Sequence, residues 1–83
     1  MAFRVGTGSI TPGAVQIWFF QFGGNGDVGA QYFLPHPVNP SGELVCTEIS
    51  KVLNPRGPWT YFAKVRNDGP LAVNFNWDGG GVT

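Results

Sequence analysis

Runs of β-branched and aromatic residues, each closed by Gly, Pro, Asn or Asp, recur along the chain and predict six short strands, at roughly 3–10, 14–22, 28–34, 44–53, 59–66 and 71–77. The last two alternate in the period-two manner of half-buried strands. Leu71, Val73, Phe75 and Trp77 share one face, with Ala72, Asn74, Asn76 and Asp78 on the other. In the preceding segment Trp59, Tyr61, Ala63 and Val65 lie opposite Thr60, Phe62, Lys64 and Arg66, and only Phe62 breaks the polar side. The turn Asn67-Asp68-Gly69-Pro70 is short enough to join these two segments as an antiparallel hairpin. Thr11-Pro12-Gly13, Gly23-Gly24-Asn25-Gly26-Asp27 and Asn54-Pro55-Arg56-Gly57-Pro58 supply further turns. Segment 35–42 carries three prolines, which cannot donate backbone hydrogen bonds, and is expected to cross the surface as an extended connection.

Two segments resist a simple reading. In 44–53 Leu44, Val45, Ile49, Val52 and Leu53 also recur at helical spacing behind a possible N-cap, Ser41, although Val45, Cys46, Thr47, Ile49 and Val52 favour a strand. In 15–22 both faces are apolar: Val15, Ile17 and Phe19 on one side, Trp18, Phe20 and Phe22 on the other. A two-layer fold covers only one face of a strand, so the second needs a subunit, a ligand or an overlying segment. The expected architecture is a small antiparallel β-sandwich of about six strands forming one domain over 1–83, with a closed β-barrel and an α+β fold with a helix at 44–53 as alternatives. Its expected core is Val15, Ile17, Phe19, Tyr61, Val65, Leu71, Val73 and Phe75, which leaves Trp18, Phe20 and Phe22 as the expected subunit interface. The segment 79–83 reads either as a loose tail or as a final edge that pairs with another chain.

Composition adds a surface short of charge. Charged residues are 12% of the chain, five basic against five acidic, about half of the ~25% usual in globular proteins. No net field attracts nucleic acid or an anionic membrane, and nothing keeps copies apart. A lone cysteine, Cys46, excludes an intrachain disulfide, and with a single histidine, His36, it cannot build a structural zinc site. Small domains without such staples commonly gain stability by oligomerising, so a homo-oligomer is expected. The N-terminal residues lack the basic and apolar stretches of a signal peptide and no apolar run reaches the ~20 residues of a membrane span, which reads as a soluble chain of open compartment.

Catalytic and cofactor chemistry finds little support. Gly24-Asn25-Gly26-Asp27-Val28-Gly29 has the letters of the dinucleotide fingerprint, but a strand ended by Pro35 follows it where the motif needs a helix N-terminus. His36, flanked by prolines, has no motif linking it to a serine or to Cys46, and the five carboxylates show no paired spacing. No enzyme activity, cofactor or metal is expected. The remaining signal is aromatic rings among amides and carboxylates, which suits sugars: rings pack on pyranose C–H faces while polar groups bind hydroxyls. The expected ligand residues are Asn25, Asp27, Trp59, Arg66, Asn74, Asn76, Trp77 and Asp78. The sequence therefore points to a non-catalytic binding module, first a lectin-like, oligomeric carbohydrate binder with a glycan ligand. Second is a structural or self-assembly subunit of a coat, filament or larger complex that uses strand 15–22. Third is single-stranded nucleic-acid binding through Lys51, Arg56, Lys64 and Arg66 interleaved with aromatics, which zero net charge disfavours.

Overall fold

A computed structural model describes residues 2–81. The fold is all-β: β1 (Ala2–Ile10), β2 (Val15–Phe20), β3 (Gln31–Pro37), β4 (Leu44–Leu53), β5 (Trp59–Asn67) and β6 (Val73–Gly81). They form two antiparallel three-stranded sheets, β1-β6-β3 and β2-β5-β4, which face each other as a small sandwich. The barrel and the 44–53 helix are thereby ruled out. β4 stays extended because its β-branched residues pair along β5 from Leu44↔Asn67 to Leu53↔Trp59, with one bulge between Cys46 and Glu48.

The central strands β5 and β6 supply most of the core. Tyr61, Ala63 and Val65 meet Val73, Phe75 and Trp77, joined by Ile10 and Phe33. Around them the rings of Phe3, Trp18, Phe20 and Phe22 pack edge-on, tilted or stacked. Phe20 stacks on Phe33 at 4.6 Å between centroids and meets Trp77 edge-on at 5.6 Å. Trp77 is fully buried, and its indole N–H has no hydrogen-bond partner among the described residues.

The expected hairpin at 67–70 is corrected by this arrangement, because β5 and β6 lie in different sheets. Alternating strands can either pair side by side or stack face to face, and here stacking buries both apolar faces at once. The chain is turned over by Asn67, 1% exposed. Its Nδ2 donates to the carbonyls of Ile10 (3.0 Å) and Leu71 (2.8 Å), and its Oδ1 accepts from the Gly69 N–H (2.9 Å). The hairpin lies instead at 54–58, between β4 and β5.

Three further expectations change. Pro35, His36 and Pro37 belong to β3 rather than to a connection, since β3 is an edge strand and prolines are tolerated where an N–H would point away from the sheet. Residues 79–81 form the end of central strand β6, paired with both β1 and β3; Val82 and Thr83 lie outside the described residues. Gly79 stands between Phe3 and Phe33, and the Phe3 ring fills the space a side chain would need. The core assignment is corrected as well: Tyr61, Val65, Val73 and Phe75 are buried, but Val15, Ile17, Phe19 and Leu71 are exposed.

Candidate functional site

The two faces of β2 are exchanged relative to expectation. Trp18, Phe20 and Phe22, expected at a subunit interface, are half-buried and point into the sandwich. Trp18 meets Phe75 at 5.6 Å and Trp77 at 6.2 Å, and Phe22 meets Tyr61 at 5.4 Å. Val15, Ile17 and Phe19 point outward at 52%, 66% and 65% exposure. Pairing with β5 decides this. Phe20 lies opposite Tyr61 and Trp18 opposite Ala63, both core-facing, so the alternate residues must face solvent.

The strand register builds an apolar outer face on this sheet. Its rows across β2, β5 and β4 are Val15, Arg66, Val45; then Ile17, Lys64, Glu48; then Phe19, Phe62, Ser50, with Val52 beyond beside Thr60. Lys64 Nζ lies 2.9 Å from Glu48 Oε2, and Arg66 pairs with Asp68, so the cations on the face are neutralised within it. These contacts hold the Glu48 and Asp68 carboxyls below the usual carboxylate range. A shallow hollow of about 330 Å³ opens between Ile17, Phe62, Ala63, Lys64, Glu48 and Ser50. Apolar surface continues round the β2 edge through Phe19 into a slot lined by Phe3, Val5, Phe20, Gln21 and Phe22.

β2 also has the least protected edge of the four. β3 carries Pro35 and Pro37, β1 is bulged between Val5 and Gly8, and β4 carries its own bulge together with Glu48 and Lys51. β2 has neither proline, bulge nor charge among Val15, Gln16, Ile17, Trp18, Phe19 and Phe20.

The eight expected ligand residues do not gather at one place. Arg66 lies on the outer face just described. Asn74, Asn76 and Asp78 lie on the outer face of the other sheet, where Asp78 accepts two hydrogen bonds from Arg4 (2.6 and 3.0 Å) and stands 3.6 Å from His36 Nδ1. Asn76 donates to the Gly6 carbonyl at 2.6 Å. Arg4 holds the Asp78 carboxyl below its usual range. Trp77 is sealed in the core and offers no ring face to a ligand.

Only Asn25, Asp27 and Trp59 come together, at the end of the sandwich formed by residues 23–29 and the 54–58 turn. Successive side-chain turns fix the first loop: Asn25 Oδ1 accepts from Asp27 N–H and Asp27 Oδ1 from Gly29 N–H, both at 3.0 Å. The Tyr61 hydroxyl ties it to the core, donating to the Gly29 carbonyl at 2.6 Å and accepting from Val28 N–H at 3.1 Å. Lys51 pairs with Asp27 and lies 4.8 Å from the centre of the Trp59 ring and 5.3 Å from that of Tyr61. It holds the Asp27 carboxyl below the usual range. The sequence did not single out Lys51 and Tyr61 as partners here, because a strand's side-chain pairing cannot be read before its register.

Chemistry elsewhere is sparse. Cys46 Sγ sits 3.6 Å from the Glu48 carbonyl, and burial pushes its thiol up, away from the thiolate a nucleophile needs. Among the described residues no three of His, Cys, Asp and Glu gather to hold a metal, and no helix is long and apolar enough to cross a membrane. Compared with known proteins, the chain matches no family model, no curated protein and no solved structure.

Proposed function

We propose that the chain is a non-catalytic self-assembly subunit whose copies meet through the outer face of the β2-β5-β4 sheet. The observation that carries this reading is the outward row Val15, Ile17, Phe19, each more than half exposed, on a strand whose other face is already packed. A contiguous apolar patch on a protein with so little surface charge marks an interaction site. A second copy is the occupant that fits. The face carries equal numbers of opposite charges, Lys64 and Arg66 against Glu48 and Asp68, already paired within one chain, so two such faces meet without burying net charge.

Magnitudes set the scale of that contact. Three strands about 4.8 Å apart and some six residues at about 3.3 Å rise make a face of roughly 300 Å² in projection. Such a contact belongs to the small, weak class of interfaces, with a dissociation constant in the micromolar range or above unless the slot beside β2 extends it. Replacing Phe19 by Lys removes apolar contact from both copies and is expected to weaken the dimer by at least about thirty-fold, some 2 kcal/mol. Sedimentation velocity checks it: Phe19→Lys should be monomeric at concentrations where the parent associates, with an unchanged circular dichroism spectrum. A folded variant that associates as the parent does would remove the reading.

A further inference from the structure

We infer that the cleft between the 23–27 loop and the 54–58 turn is a binding site for an acidic saccharide, in which Arg56 takes the carboxylate and Trp59, Leu53 and Pro58 present apolar surface to the sugar ring. The cleft is open, about 600 Å³, and is lined by Gly24, Asn25, Leu53, Arg56, Gly57, Pro58 and Trp59. That is room for one or two sugar rings.

Charge distinguishes this place from the rest of the molecule. Arg4, Lys51, Lys64 and Arg66 each have a carboxylate partner, whereas Arg56 has none among the described residues. Its neighbours at this end, Lys51 and Asp27, cancel each other. Glu43, the carboxylate left over, lies at the opposite end of β5, where its carbonyl accepts from Asp68 N–H. The cleft therefore keeps one uncompensated positive charge in a chain that is neutral overall. A guanidinium presents paired donors in a plane and suits a carboxylate.

The walls are held before any ligand arrives. Trp59 N–H donates to the Asn25 carbonyl at 2.9 Å, which joins loop to turn. Asn54 Nδ2 donates to the Pro58 carbonyl (3.1 Å) and to Thr60 Oγ1 (2.7 Å), and Gly57 N–H donates to the Asn54 carbonyl (2.9 Å). Lys51 stands over the Trp59 ring and restrains it. The Asn25 amide oxygen is used within its own turn, while its Nδ2 protons have no partner among the described residues and remain to donate to a hydroxyl. Side chains fixed in this way lose little freedom on binding. None of the cleft residues belongs to the apolar outer face, so this inference and the assembly reading stand or fall separately.

The test is a titration of the isotope-labelled full chain followed at the Trp59 indole N–H, assigned with Trp59→Phe. Trigalacturonate, neutral galactotriose and inorganic phosphate serve as probes. Trigalacturonate should shift the indole signal saturably and bind at least about ten-fold tighter than galactotriose, the worth of one charge-assisted hydrogen bond. In Arg56→Gln, an exposed substitution that breaks no ion pair among the described residues, that advantage should vanish while the spectrum stays that of a folded protein. Equal binding of the two sugars, an unaffected Arg56→Gln, phosphate binding as tightly as the acidic sugar, or an unmoved indole signal at millimolar sugar would each overturn it.

Discussion

Single residues decide how the two sheets are joined, and Asn67 does most of that work. It is a turn-forming amide by type, but its side chain is buried and satisfies Ile10, Gly69 and Leu71, while its backbone bonds Gly13 and Ala14. Asn67→Ala leaves two carbonyls and an amide N–H unpaired. The expected loss is about 2–3 kcal/mol, or roughly 10–20 °C in Tm for a domain of this size, read by thermal unfolding. The carboxylates give a pH dependence of known sign. Asp27, Glu48, Asp68 and Asp78 are each held below the ordinary range, first by a hydrogen bond from Lys51, Lys64, Arg66 and Arg4 in turn. Groups with lowered folded pKa stabilise the fold above their unfolded values and lose that contribution as pH falls through the folded ones. Tm should therefore decline through these groups only below about pH 4. These pairs lie at the surface, so added salt should shrink the decline. A drop of the same size in 1 M salt would contradict the assignment.

Elements were legible in the sequence to the extent that their pattern had one solution. β5 and β6 alternate, and their core faces emerge as the alternation implies, Leu71 excepted because it precedes β6. β4 follows its β-branched residues rather than its helical spacing. β2 reads from sequence with its two faces exchanged, since Val15, Ile17, Phe19 and Trp18, Phe20, Phe22 are equally apolar and only pairing with Tyr61 and Ala63 separates them. The site was less legible still. Trp77 is an aromatic of the kind that binds sugars but sits in the core, and Arg56 differs from the other cations only in lacking an ion-pair partner among the described residues, which no sequence pattern encodes. Adjacent residues of β2 give the sharpest check on this element. Phe20→Lys places an ammonium against Phe33 and Trp77 and is expected to cost about 3 kcal/mol or more through lost packing and a buried charge. Phe19→Lys should leave the unfolding free energy within about 1 kcal/mol of the parent, as exposed substitutions do. Equal losses in chemical denaturation would reject the face assignment.

The whole molecule is a thin object, 40 × 24 × 17 Å, with eight buried hydrophobic side chains among the described residues. Two layers of three strands bury one face each, and among the described residues no third element covers the outer apolar row. Its formal charge is zero, five cations against five anions, so copies approach without long-range repulsion. In the proposed assembly a second copy laid on the β2-β5-β4 sheet would supply a covering layer and leave the cleft at Arg56 and Trp59 open at the end of each copy. The most direct measurement is the mass of the unaltered chain by sedimentation velocity, from about 1 µM to several hundred µM, the range in which a small interface dissociates. A mass that rises with concentration towards a dimer or larger assembly is the predicted result. A monomer throughout that range would contradict it.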